Sequence, residues 1–588
     1  MKREECSLEL VGCNMVVAVT QDSVNAALKE YLDAFDADFV NQAYYMDVDE
    51  SGTVIYESMD YDEVKKAVGL DLYEIAAEKE NRSPKQEAAI QKAYNELGFT
   101  LGFRFRIGLP EVEDVSRLRD IVTFIESDIS STANVHYTMY LKEFEIIKIA
   151  CVPRKGYVFT HLIQEPDRPW YFTSMVKLDM QGKNFKDLPK DMQDKLKPKD
   201  VSQYLNMDDV LSIQQLYMDL NTAKLTDEFK LEGFDPSEDI YKVFQTGFLK
   251  NYVKDCEKNG GVILGYFAKQ FASSSKEELI KLKNFNFCIT PYYKKDGTVD
   301  DKKKGLFSLN YLFSSENSTL IDLKKYANAV RWNWVSESEK GGIHGRMVLE
   351  RNGLMTKLAE HYKRALEYIQ LIPKAKAEVN LIELDYALWL ENDQTEPVFT
   401  YKTGKYEYSY EKKVHMHDSY INTADVSASY EMKCEMTYRG DCIQFKTSIV
   451  SDGTIKVDGG EVKARFCDST LTHDIQLGVD QNGKVVLDVS QEVKEETGNT
   501  YVKSDGWMDF LTLGTAKSSM EEVAKSIQKS ISSYKNSAVA YAKGAFDDIN
   551  YWVFPGGRVF SFKKPEISTE GNIMLGITYV QPHDEEDK

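Results

Sequence analysis

The sequence predicts a mixed α+β protein of two elongated lobes, each a long curved antiparallel sheet wrapped around a long amphipathic helix. Three observations carry that expectation. Between residues 426 and 438 every second residue is Val426, Ala428, Tyr430, Met432, Cys434, Met436 and Tyr438, with Ser, Glu, Lys and Thr between them. Such alternation marks a half-buried strand, here about 43 Å long at ~3.3 Å per residue, where ordinary strands have roughly 5–6 residues. Met520, Val523, Ile527, Ile531, Tyr534, Ala538, Tyr541 and Ala545 recur at steps of three or four. That spacing predicts a helix over 518–547, about 45 Å long and so a match for the strand in length. Finally, both halves of the chain read in one order: strand, helix, meander, helix, strands.

The 588 residues exceed what one core can hold. The division falls near 335, giving lobes 1–335 and 336–588. The first lobe opens with the apolar run "MVVAV", followed by a helix that Asp22 caps and that carries Val24, Leu28, Tyr31, Leu32 and Phe35 on one side. A charged helical insertion follows near 61–97. The stretches "LGFRFRIGL", "ANVHYTMYLKEFEIIKIACV", "KGYVFTHLIQ" and "PWYFTSMVKLDM" are strand-like in alternation or β-branched content. "MDDVLSIQQLYMDLNTAKL" and "SEDIYKVFQTGFLKNYVKDCEK" read as helices, and "GGVILGYFAKQF", "FNFCITPYY" and "GLFSLNYLFSS" return to strand. The second lobe begins with a short strand and a helix in "GRMVLERNGLMTKLAEHYKRALEYI". A β-meander follows, in which Asp452-Gly453 and Asn482-Gly483 are hairpin signals. After the long helix, two strands close the chain around Pro555-Gly556-Gly557.

Composition is that of a globular protein, with 42% hydrophobic and 28% charged residues. The net charge of −21 argues against nucleic acid as a partner, since neutralising phosphates needs a basic footprint. The densest basic patch, Lys294-Lys295 with Lys302-Lys303-Lys304, reads as a solvated loop, and peripheral contact with a membrane stays open. Eight cysteines lie scattered with no Cys-x-x-Cys pair, which fits neither a disulfide framework nor a zinc site and suits a reducing compartment. Near the N-terminus, Glu4, Glu5, Glu9 and Asn14 interrupt the apolar residues behind Lys2 and Arg3, so the segment reads as fold and not as a signal peptide. The chain is expected in the cytoplasm or exported without a cleavable leader. No apolar run approaches the ~18 residues that span a membrane.

Enzyme constellations are missing: no Gly-x-Gly-x-x-Gly, Walker lysine, Gly-x-Ser-x-Gly or His-Glu-x-x-His occurs. His415 and His417 would share one strand face, as two metal ligands do, but a third ligand at suitable spacing is lacking and Asp418 points the other way. No catalytic residue, metal or cofactor is assigned.

The opening "NMVVAVTQDSVNAALKEYL", with Val24-Asn25 on its helix, resembles the start of the tubular lipid-binding (TULIP) accessory proteins of clostridial neurotoxin gene clusters. The closing "YWVFPGGRVFSFKKPEISTEGNIMLGITYV" resembles their terminal strand pair. "SIQQLYMDLNTA", "VRWNWVSESE" and "PWYFTSMVKLDM" are similar to large uncharacterised fungal and bacterial proteins. One departure is the Gly-Trp-Asp expected before the first strand, which here is Gly12-Cys13-Asn14. The resemblance implies a helix-wrapped sheet whose seam holds lipid, and membership of a multi-protein assembly.

The candidate ligand-binding seam is then Val426, Ala428, Tyr430, Met432 and Met436 on the strand, with Ile527, Ile531, Tyr534, Ala538, Tyr541 and Ala545 on the helix. Small, flexible and amphipathic side chains suit a variable apolar guest, though such stripes also serve as plain core. Three readings follow: a non-enzymatic carrier of lipid or another elongated apolar ligand, a structural or interaction subunit with solid seams, and, behind both, a hydrolase using carboxylates that sequence does not single out.

Overall fold

The computed structural model describes residues 13–33, 38–112, 114–127, 133–165, 168–183, 186, 190, 211–225, 243, 252–254, 262–270, 282–315, 332–381, 383–402, 405–439, 442–479, 485–489, 492–505, 508, 514–543, 553–554, 558–568 and 572–579. In chain order, β1 (Met15–Thr20) runs into α1 (Gln21–Asp33), and β2 (Val40–Val48) and β3 (Val54–Met59) form a hairpin. The insertion then supplies α2 (Tyr61–Val68) and α3 (Pro84–Leu97). Next come β4 (Phe99–Ile107), β5 (Val122–Phe124), β6 (Ala133–Val152), β7 (Gly156–Ile163), β8 (Tyr171–Lys183), β9 (Leu211–Leu225), β10 (Val262–Gln270), β11 (Leu282–Thr290) and β12 (Ser308–Ser315). β13 (Gly345–Leu349) precedes α4 (Arg351–Leu366), whose end passes through a 3-10 turn, Glu367–Ile369. The meander region holds β14 (Leu371–Val379), β15 (Leu384–Asn392), β16 (Thr400–Lys402), β17 (Lys405–Ser419), β18 (Thr423–Arg439), β19 (Cys442–Val457), β20 (Gly460–Val479), β21 (Val485–Val489), β22 (Lys494–Thr497) and β23 (Tyr501–Ser504). The long helix α5 (Thr515–Lys543) and strands β24 (Val553–Phe554), β25 (Arg558–Ile567) and β26 (Ile573–Tyr579) complete it.

Among the described residues these strands make three antiparallel sheets. The 16-stranded one runs β11-β12-β1-β13-β26-β25-β24-β10-β9-β8-β6-β4-β2-β3, with β5 and β7 beside β6. It joins strands from both ends of the sequence, since β1 lies between β12 and β13 and β10 pairs with β24. The apolar run read at residues 15–19 explains the place of β1: it is buried along its whole length, as a strand covered on both faces must be. The meander is an 8-stranded sheet in which β16 to β21 follow in sequence order, and β14–β15 is a separate hairpin laid over it.

The insertion is an ordered part of the first half. Ser83 caps α3 in a reciprocal box with Gln86, Pro84 opens it, and Gly98 ends it in the left-handed region. Its apolar side, Ala89, Ile90 and Ala93, packs with Tyr61, Val64, Leu72 and Tyr73 against Phe99, Ile147 and Phe159 of the sheet.

Three expectations need correction. The helix read into "MDDVLSIQQLYMDLNTAKL" is strand β9, paired with β8 and β10. The ladder with β8 shifts register between Met175 and Lys177, where the pairing on β9 jumps from Lys224 to Asp219, and a bulged strand loses the clean alternation that identifies it. The Asp452-Gly453 hairpin signal lies inside β19, beside a register shift between Ser451 and Asp452. The chain turns instead at Asp458-Gly459, with φ of 44° and 84°, closed by the pair Val457↔Gly460. Two consecutive positive φ values define the turn that best fits strand twist. Lastly, the inner face of β18 lies chiefly under β14 and β15, while α5 rests on α4, β15, β20 and β21. The partner read for that strand, the long helix, is thus displaced by a hairpin. Asn482-Gly483, Pro555-Gly556-Gly557, Ala545 and most of 237–258 lie outside the described residues. From the last stretch, Val243 and residues 252–254 are described and helical.

Candidate functional site: the apolar seam of the meander

Strict alternation in "KYEYSY" turns Tyr406, Tyr408 and Tyr410 of β17 to the inner face, and the same alternation buries Val426, Ala428, Tyr430, Met432, Cys434 and Met436 of β18. From the other side α5 contributes Met520, Val523, Ile527, Ile531, Tyr534 and Ala538, and α4 contributes Leu358, Tyr362 and Leu366, all in one buried cluster. Of the candidate residues, ten are described. Nine are buried and Tyr541 is half-buried.

The strand and helix stripes do meet, at one level, through polar atoms. The Tyr534 hydroxyl lies 2.7 Å from that of Tyr362 and 3.1 Å from Thr447 Oγ1. Thr447 donates onward to Cys434 Sγ at 3.3 Å, and Tyr362 reaches His473 Nδ1 at 3.4 Å. The Tyr362 ring stacks on Phe445 with centroids 3.7 Å apart and meets Tyr534 edge-on. A buried hydroxyl needs a partner, and these supply one another. Burial pushes the Cys434 thiol up to about 12 and raises both tyrosines as well. The chain is therefore a line of neutral donors and acceptors across an apolar interior, with no activated nucleophile.

A second polar group lies where the hairpin β14–β15 leaves α4. Gln370 is fully buried and donates through Nε2 to the Tyr408 hydroxyl (2.7 Å) and the Thr395 carbonyl (3.1 Å). Asp393 accepts from the Thr395 hydroxyl (2.7 Å), its backbone N–H (3.0 Å) and Tyr410 (2.9 Å), with Lys412 Nζ at 3.3 Å. These contacts, the Thr395 hydroxyl first among them, hold its carboxyl at about 2. Tyr430 donates to the carbonyl of Ile369, so three strand tyrosines anchor the sheet to the segment behind α4.

The tyrosines of β17 were open to the same period-2 reading as β18. Tyr362, Phe445, Thr447 and His473 were not, because single polar or aromatic residues at inward positions look like any others until the facing element is known. His415 and His417 both face Asp425 Oδ2, at 3.1 and 3.5 Å, on the outer surface. Asp418 instead accepts from the backbone N–H of Val379. Among the described residues no three His, Cys, Asp or Glu side chains gather as a metal-binding set. In the basic patch, Lys303 pairs with Glu337 at 2.7 Å while Lys302 and Lys304 stand in solvent. No helix among the described residues is long and apolar enough to cross a membrane.

No protein-family model matches the chain, and no curated protein matches it in sequence. Among solved structures it is similar to P47 from Clostridium botulinum A2, at 10% identity over 97% of this chain and 98% of that one, with a TM-score of 0.38. It is also similar to lipopolysaccharide binding protein, at 7% identity over 97% of this chain and 99% of the other, with a TM-score of 0.23.

Proposed function

We propose that the chain is a non-enzymatic binding protein for lipid or another elongated apolar ligand, held in the seam between the meander, the β14–β15 hairpin and the helices α4 and α5. The observation that supports this reading most is the make-up of the one apolar cluster running through those elements. It mixes flexible Met432, Met436 and Met520 with small Ala428 and Ala538 among its large residues. Methionine repacks around variable guests, and each methylene buried returns about 0.8 kcal/mol. The neutral Tyr362–Tyr534–Thr447 line offers a polar end-stop for a headgroup or hydroxyl without charge.

The test is native mass spectrometry of the purified chain, followed by organic extraction and lipid analysis of the same sample. Co-purifying lipid that is lost in Ala538→Phe is the expected result. A bare mass together with no uptake from vesicles would end this reading. A second reading, an interaction subunit with a solid seam, draws support from the same tyrosines: their hydroxyls already satisfy one another, so the seam closes without a guest.

A further inference from the structure

Two neighbouring turns at one end of the meander carry large apolar side chains into solvent. Leu381, between β14 and β15, is 68% exposed, and Tyr420 and Ile421, between β17 and β18, are 67% and 69% exposed. The turns are locked together. Val379 N–H donates to Asp418 Oδ2 at 2.7 Å, tying the first turn to the second. Thr423 N–H donates to Asp458 Oδ1 at 2.8 Å and Asp458 N–H to the Thr423 carbonyl at 3.1 Å, tying the second to the β19–β20 turn. Turn positions favour Gly, Asn, Asp and Ser for their backbone freedom and local hydrogen bonds. A β-branched Ile beside Tyr at a turn apex breaks that rule, and exposed apolar residues work against solubility. A rule broken on a rigid support points to use.

We propose that this tip inserts into the interface of a lipid bilayer. The three side chains of the tip amount to on the order of 400 Å² of surface, short of the ~800 Å² per partner that a stable protein interface buries. Part of its backbone is already paired within the turns, which lowers the cost of an apolar medium, where unsatisfied groups are costly. Tyr420 N–H donates to the Asn422 carbonyl (3.0 Å), Asn380 N–H to the Glu383 carbonyl (3.0 Å) and Glu383 N–H to Asn380 Oδ1 (2.7 Å). Tyrosine with aliphatic neighbours is the composition of a headgroup-level anchor. The nearby charges are the carboxylates Asp418, Asp425, Asp458 and Glu383, and Lys456 and Lys463 are engaged by Glu461 at 3.3 and 2.6 Å. The attraction is therefore apolar, not directed at anionic lipid.

This proposal does not depend on ligand in the seam. It is tested by flotation of the full chain with phosphatidylcholine vesicles at low and high salt. Binding at both salts is expected, falling about tenfold or more in Leu381→Ser/Ile421→Ser and holding in Lys302→Glu/Lys304→Glu. Vesicles should slow amide exchange in residues 376–384 and 415–425. Both serine positions are exposed, so an unchanged circular dichroism spectrum is expected and separates lost binding from lost fold. Lipid extracted from the seam should be the same in this variant as in the parent. Failure to float with phosphatidylcholine, flotation unaffected by the serine pair, or flotation that requires anionic lipid and is abolished by salt would each overturn the proposal. So would vesicle-independent dimerisation that the serine pair removes, because it would seat a second copy on the tip.

Discussion

Replacing Tyr534 by Phe removes a hydroxyl that bonds Tyr362 at 2.7 Å and Thr447 at 3.1 Å, and all three residues are fully buried. Net hydrogen-bond contributions of ~0.5–1.5 kcal/mol each put the cost at about 1–3 kcal/mol, most of it from stranding the partners. Thr447 keeps Cys434 Sγ, and Tyr362 keeps only a long contact to His473. Tyr362→Phe should cost about 1–2 kcal/mol by the same reasoning. The double variant removes both ends of the 2.7 Å bond. Its cost should then fall about 1 kcal/mol short of the sum, because no stranded hydroxyl faces another. The readout is amide hydrogen exchange in β18, β19 and β20, which reports local opening free energy without requiring a chain of this size to unfold in one step. Additivity within about 0.3 kcal/mol, or a Tyr534→Phe single variant with no effect, would refute the description of these hydroxyls as one coupled line.

Other outcomes follow from separate parts of the molecule. Gly453→Val would place a Cβ 2.5 Å from the Phe466 ring and 3.2 Å from Leu388, so overpacking should cost about 1–3 kcal/mol, seen as faster exchange across β19 and β20. Arg82→Ala removes donors to the Ala76 carbonyl (2.7 Å) and the Phe159 carbonyl (3.2 Å) and a cation stacked 5.0 Å over the Phe159 ring. Proteolysis within 61–97 should then quicken about tenfold or more, as the population of undocked insertion rises. The Asp393 carboxyl is held at about 2, below the ~3.9 of an unfolded chain. It thus contributes stability above pH ~4 that is lost as pH falls from ~4 towards ~2, and Asp393→Asn should flatten that part of the acid-stability curve.

Local periodicity alone determined much of this protein. β18, read over 426–438, spans Thr423–Arg439, and α5, read over 518–547, is described as Thr515–Lys543. A period of 2 or 3.6 is imposed by one segment's own backbone, and which side chains turn inward follows from it. That is why nine candidate residues on two distant elements prove buried in one cluster. What covers each face was decided elsewhere. β14 and β15 displace α5 from most of β18, β9 is a strand because β8 and β10 flank it, and the β19–β20 turn falls at Asp458-Gly459 because the register runs past Asp452-Gly453. The joining of β1 with β13, and of β10 with β24, puts opposite ends of the sequence in one sheet. Each of these is a pairing between segments far apart in sequence, and its free energy depends on which surfaces are available to compete. Tyr362, Thr447 and Tyr534 show the same division at the scale of atoms: sequence turned each of them inward, and only packing brought their hydroxyls within reach of one another.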